Sequence, residues 1–188
     1  MMSALEARLA LLGVKGILRF DATAFRCFPG SLGTCLRSFQ VALWVAPLQA
    51  LVVWLSVTDE VGDADPTGYL TGQALAYAVS WLLYPLLLIP ISRHFHRLER
   101  LPGYLTAFNW FQLVEFVVMT PILAVGSLQW LPVEASVLLW MCGTLVLLAY
   151  EWFMLRRGLE VEGLTAASLV LINFLLNLLI YRAAEVLS

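Results

Sequence analysis

Five stretches of this chain run for about twenty residues each with almost no charge, and nothing else restricts its fold so strongly. A helix needs about 20 apolar residues to cross roughly 30 Å of hydrocarbon. The runs predict transmembrane helices over residues 38–58, 67–92, 101–125, 133–155 and 163–182 of the 188. Composition agrees: 61% of residues are apolar, 13% are charged, and the mean hydropathy is +0.86. Soluble domains run nearer half apolar and a quarter charged. The same figures exclude a disordered chain and a collagen-like fibre, and a net charge of −2 gives a nucleic-acid module no basic surface. Three cysteines, an odd count, do not make a disulfide framework. The expected fold class is all-α, a polytopic membrane bundle of five helices with almost no extramembrane domain.

The basic residues set an expected orientation. Arg8, Lys15, Arg19, Arg26 and Arg37 precede the first span, Arg93, Arg97 and Arg100 lie between the second and third, and Arg156 and Arg157 lie between the fourth and fifth. Only Arg182 falls on the opposite side. The positive-inside rule then puts the N-terminus in the cytoplasm and the C-terminus outside, with the acidic connection Asp59, Glu60, Asp63, Asp65 facing out. A multi-pass protein of the bacterial inner membrane is the expectation.

Residues 1–37 read as a separate cytoplasmic segment ahead of the five-helix domain, 38–188. No basic n-region precedes an apolar stretch there, so no signal peptide is expected. As a helix, Ser3 to Phe20 places Arg8, Lys15 and Arg19 within about 40° of one another at 100° per residue. Ala7, Ala10, Leu11, Val14, Ile17 and Leu18 fall on the other side. The segment is therefore expected to lie in the headgroup layer as an amphipathic helix. Leu5, Leu9 and Leu12 interrupt its polar side and leave docking on protein as the alternative. Asp21 to Arg37, with Pro29, Gly30 and Gly33, reads as a turn-rich connector. Arg8, Lys15, Arg19, Arg93, Arg97, Arg100, Arg156 and Arg157 are the expected contacts to anionic lipid.

Glu115 is the most informative residue, about 21 Å into the third span at 1.5 Å per residue. A carboxylate at that depth costs several kcal/mol unless it is protonated or paired. Asn109 and Gln112 precede it at steps of three and are expected on the same stripe. Gln49, Ser80, Thr144, Asn173 and Asn177 reach similar depths, so each helix brings a hydrogen-bonding group to the midplane. Asn109, Gln112, Glu115, Asn173 and Asn177 thus form the expected intramembrane polar site, as an interhelical network first and a cavity lining second. Glu151, near the end of the fourth span, reads as a partner for Arg156 or a snorkelling side chain. Pro47, Pro85, Pro90 and Pro121 are expected to interrupt or end spans. Trp54, Trp130 and Trp152, with Tyr69, Tyr104, Tyr150 and Tyr181, suit interfacial belts.

No phosphate-cradling loop, zinc-protease helix, nucleophile elbow or haem-attachment motif occurs in the sequence, so no catalytic residue, cofactor or metal is expected. His94, His96, Cys27 and Cys35 share one expected membrane face, but their spacing is not that of a zinc finger and they read as solvated loop residues.

Short loops, a cytoplasmic N-terminal segment, Gly103-Tyr104 with Ala107-Phe108-Asn109-Trp110 entering the third span, and Tyr150-Glu151-Trp152-Phe153 closing the fourth resemble a Yip1-like group of small alphaproteobacterial membrane proteins. The resemblance implies a membrane-organising or accessory role and no known reaction; the Asp-Leu-Tyr-Gly-Pro signature of eukaryotic members is absent. The expected function is accordingly a non-enzymatic accessory subunit or scaffold, bound to membrane lipids and to a protein partner or a second copy of itself. A small transporter or channel built around Glu115 is the alternative. Whether Glu115 faces a cavity or a packed helix divides the two.

Overall fold

Ser3 opens the first helix with a reciprocal cap. Its hydroxyl accepts from the Glu6 amide at 3.2 Å, while the Glu6 carboxylate accepts the Ser3 amide at 2.8 Å. The computed structural model describes residues 2–60 and 66–187, with side chains at 2–55 and 67–184. It continues from that cap as α1 (Ala4–Ile17), a 3-10 turn Ala22–Cys27, α2 (Leu32–Ser38), α3 (Val41–Glu60) and α4 (Pro66–His94). Beyond a short 3-10 turn at Leu98–Arg100 come α5 (Leu101–Ser127), α6 (Val133–Met154), a π-helical turn Leu155–Leu159 and α7 (Gly163–Leu187). Every regular element among the described residues is helical.

Five segments are long and apolar enough to cross a membrane: Leu32–Leu55, Thr67–His94, Leu98–Ser127, Val133–Leu159 and Gly163–Ala184. The chain is a multi-pass membrane protein. The four interior prolines lie within continuous helices rather than ending them: Pro47 in α3, Pro85 and Pro90 in α4, and Pro121 in α5. The acidic stretch through Asp63 and Asp65 lies outside the described residues, as do the side chains of Asp59 and Glu60.

The connector expected over Asp21 to Arg37 is largely helical. Asp21 caps the first 3-10 turn by accepting the Thr23 amide at 2.8 Å, and Ser31 caps α2 by accepting the Thr34 amide at 3.1 Å. Gly33 lies inside α2, whereas Pro29 and Gly30 stay in the short non-helical link before it, where a Cβ on Gly30 would meet the Glu99 carbonyl oxygen at an ordinary 3.7 Å. Helix α1 also departs from expectation. Ala10, Val14 and Ile17, assigned to the headgroup layer, are buried in protein, against the first 3-10 turn and the start of α5. Gly13 is part of that seam, because a Cβ there would come within 2.5 Å of the Phe28 ring. What α1 and the residues just after it turn outward is a mixed face: Leu5, Leu9, Leu11, Leu12 and Leu18 with Arg8, Lys15 and Arg19.

The first third of α5 is the hub. Leu101 and every residue from Tyr104 to Phe111 are buried, enclosed by α1, α2, α3 and the π-helical turn. From this hub the spans divide into two groups. One is a layer in which α3 and α6 flank α5; the other is the closely packed pair α4 and α7. The two groups touch sparsely and leave a space between them.

Candidate functional site

The gap between layer and pair is a cavity of about 510 Å³ that all five spans line. That lies within the 300–1,000 Å³ typical of small-molecule sites. Helix α3 contributes Gln49, α4 contributes Gln73 and Ser80, α5 contributes Gln112 and Glu115, α6 contributes Thr144 and Glu151, and α7 contributes Asn173 and Asn177. Polar side chains expected at the midplane thus do converge, around a void. Aromatic rings fill much of the remaining wall.

Towards the α1 end the cavity stops at Phe108, whose ring packs on Tyr84 at 5.3 Å and on Tyr104 at 6.0 Å. Tyr84, Leu88, Tyr104 and Leu155 are all 2% exposed or less, so this floor is closed. In the other direction the lining extends to Tyr69 and Leu123, each within about a turn of the far end of its helix.

Glu115 opens directly on the cavity. It makes no hydrogen bond or ion pair with the described residues. Glu151, by contrast, is held. Asn173 donates from Nδ2 to Glu151 Oε1 at 3.0 Å, and Asn177 donates from Nδ2 to Asn173 Oδ1 at 3.0 Å. The two amides form a relay along one face of α7 that ends on the carboxyl of α6. The Tyr84 and Tyr104 hydroxyls are buried without a hydrogen-bond partner among the described residues. No Lys, Arg or His occurs among the described residues lining the cavity.

Three sequence expectations need correction. Asn109 is absent from the cavity; it is fully buried and donates to Ser38 Oγ at 2.8 Å, pinning α2 to α5. Steps of three residues each lose about 60° at 100° per residue, so Asn109 and Glu115 sit some 120° apart on the helix. Glu151 neither pairs with Arg156 nor snorkels. Arg156 instead lies over the Trp152 ring, 5.7 Å from its centroid, and reaches the Val161 carbonyl oxygen. Tyr69 and Tyr104 are buried in protein instead of standing in interfacial belts. Sequence reasoning also missed Gln73 and the role of Glu151. A signal for Glu151 existed: in a helical hairpin turned at residues 159–163, Glu151 and Asn173 lie about 12 Å and 15 Å from the turn, at matching depth.

Among the expected lipid contacts, Arg8, Lys15, Arg19, Arg93, Arg100 and Arg157 are exposed, and Arg97 and Arg156 are half-buried. Arg100 meets Glu160 at 2.9 Å and Arg97 meets it at 4.0 Å, tying the α4–α5 connection to the end of α6. Glu160 serves both through separate oxygens, Oε2 towards Arg97 and Oε1 towards Arg100. Cys27, Cys35 and Cys142 are free thiols. No group of three or more His, Cys, Asp or Glu side chains suited to a metal ion occurs among the described residues. Comparison of the chain with family models, curated proteins and solved structures finds no match.

Proposed function

We propose that this protein is a small membrane carrier that takes a solute into the cavity between the α3–α5–α6 layer and the α4–α7 pair, with Glu115 as its ionisable contact. The observation that carries the reading is Glu115 itself: a carboxyl opening on about 510 Å³ of space without a hydrogen bond or a positive partner. Intramembrane acids that glue helices together meet a donor on the neighbouring helix, as Glu151 meets Asn173. Glu115 does not, which favours a carrier over an accessory subunit or scaffold.

The architecture supports a carrier in a second way. Sparse contact between the two groups of helices leaves them room to rock about a fixed site, the motion by which secondary transporters alternate access. In the orientation that the ten-to-one distribution of basic residues favours, N-terminus inside and C-terminus outside, the Phe108 floor lies on the cytoplasmic side. The structure then corresponds to the outward-disposed state of a bacterial inner-membrane protein, with α1 and the basic connections on the cytoplasmic face. The Yip1-like resemblance bears on this architecture and adds no reaction.

The test is chemical access to the cavity. In a background with Cys27, Cys35 and Cys142 changed to Ser, Gln112→Cys should react with methyl methanethiosulfonate added to intact cells. Ala107→Cys, at a fully buried position in the hub, should not. Equal inertness at both positions would overturn the carrier reading.

A further inference from the structure

Resting on the carrier reading above, we propose that the cavity's occupant is a monovalent organic cation with an apolar body, seated with its charge against Glu115.

The argument begins from charge. Two carboxyls, Glu115 and Glu151, line the space, and no basic side chain among the described lining residues offsets them. Glu151 has one oxygen engaged by Asn173, whereas both oxygens of Glu115 are uncommitted. An anionic solute would add negative charge where none is balanced, in surroundings of low dielectric where such repulsion is strong. A cation supplies the charge the site lacks.

Size and wall chemistry define the rest of the molecule. A bare metal ion needs several oxygen or nitrogen ligands converging within about 2.0–2.6 Å, and no group of three or more His, Cys, Asp or Glu side chains suited to one occurs among the described residues. The cavity is also far larger than an ion requires, at about 510 Å³. Its wall carries Trp81, Phe111, Phe116, Trp140, Phe174 and Tyr181. Aromatic faces attract organic cations through the ring quadrupole and bury the attached hydrocarbon together with the charge. Gln49, Gln73, Gln112 and Ser80 add hydrogen-bonding groups from three helices, enough to orient an amine without demanding one fixed shape.

The experiment reads charge selectivity inside the cavity. In the Cys-to-Ser background, Gln112→Cys is labelled with cationic, neutral and anionic methanethiosulfonates of similar size, each rate divided by that for free cysteine. Positions 112 and 115 are one helical turn apart, about 5–6 Å between Cβ atoms. At that separation a unit charge biases the rates by about tenfold or more in favour of the cationic reagent. Benzyltrimethylammonium should slow labelling by the neutral reagent, and neopentylbenzene, its uncharged isostere, should not. Glu115→Gln combined with Glu151→Gln should erase the selectivity. Equal normalised rates, equal protection by the two isosteres, or selectivity that survives the double change would each overturn the cation proposal while leaving an accessible cavity. Failure of the neutral reagent to label at all would instead overturn the carrier reading beneath it. If the double variant does not fold, the reagent series and the isostere pair on Gln112→Cys alone decide the question.

Discussion

Replacing each intramembrane glutamate by leucine separates a residue that holds the bundle together from one that opens on the cavity. Glu151 accepts one hydrogen bond from Asn173 at 3.0 Å, and that Asn is itself oriented by Asn177 at 3.0 Å. Glu151→Leu strands the Asn173 Nδ2 donor in a buried position. An unsatisfied buried group costs about 1–3 kcal/mol. Interhelical hydrogen bonds in membranes average nearer 0.6 kcal/mol, with a maximum of about 1.7 kcal/mol. The expected loss for Glu151→Leu is therefore about 1–2 kcal/mol, the lower part of the wider range. Glu115→Leu orphans no donor, because Glu115 has no partner among the described residues, and it puts hydrocarbon where a carboxyl was. Its expected cost is under about 0.5 kcal/mol, and a net gain is consistent with the geometry. The assay is reversible unfolding in mixed micelles with increasing dodecyl sulfate, comparing midpoints at constant slope. Asn173→Leu and the Glu151→Leu/Asn173→Leu pair close a double-mutant cycle whose coupling term should be about 0.6–1.7 kcal/mol. A Glu115→Leu cost as large as that of Glu151→Leu would refute the reasoning, since it would mean Glu115 holds a neighbouring helix after all.

Three further outcomes follow from other parts of the molecule. The Arg37 guanidinium, bonded to Glu6 at 2.5 Å, holds the Glu6 carboxyl down to about 2, so the α1–α2 tie is complete above Glu6's ordinary value of 4.5 and is lost as pH falls through about 2. Hydrogen exchange in α1 should accelerate across that window, and Glu6→Gln should abolish the pH dependence. Thr120 buries its hydroxyl without a hydrogen bond, so Thr120→Val should be neutral or stabilising by up to about 1 kcal/mol in the same unfolding assay; a loss of that size would refute it. Gly158 packs beneath two rings, with a hypothetical Cβ 2.8 Å from Phe25 and 3.1 Å from Tyr104, so Gly158→Val should cost about 1–3 kcal/mol; a wild-type midpoint would show that the π-helical turn tolerates bulk.

The spans were legible because hydrocarbon imposes one requirement on every residue it touches. The third span was expected at 101–125 and α5 occupies Leu101–Ser127; the fourth was expected at 133–155 and α6 occupies Val133–Met154. The first span was less legible, since Leu32–Ser38 forms its own short helix ahead of Val41 and glycines there drew the reading towards a turn. For α1, periodicity located the helix, but the choice between lipid and protein as the cover for Ala10, Val14 and Ile17 depended on α5, more than 80 residues away in the sequence. The site was legible as a depth and illegible as a partnership. Counting along helices placed Gln49, Ser80, Gln112, Glu115, Thr144, Asn173 and Asn177 at one level, and all of them line the cavity. Azimuth was the failure, and it misassigned Asn109. Glu151 was missed because its nearest cations in sequence drew attention from an amide on the next helix.

The hub in α5 also governs the order in which the protein can be completed. Helix α1 leaves the ribosome well ahead of α5, yet part of the surface that covers Ala10, Val14 and Ile17 belongs to that span, synthesised about 90 residues later. The hydrogen bond from Tyr150 to the Leu18 carbonyl oxygen closes a separation of 132 residues, and the Phe20 ring stacks on that same Tyr150 at 4.6 Å. At about 5–20 residues per second, those last contacts wait roughly 7–26 s after α1 emerges. Vectorial insertion therefore cannot proceed as finished helices laid down in turn, because α1 is made early and completes its packing late. A nascent chain arrested after α4 would hold α1 against the 3-10 turn that follows it and, through the Glu6–Arg37 pair, against α2, but without the hub of α5.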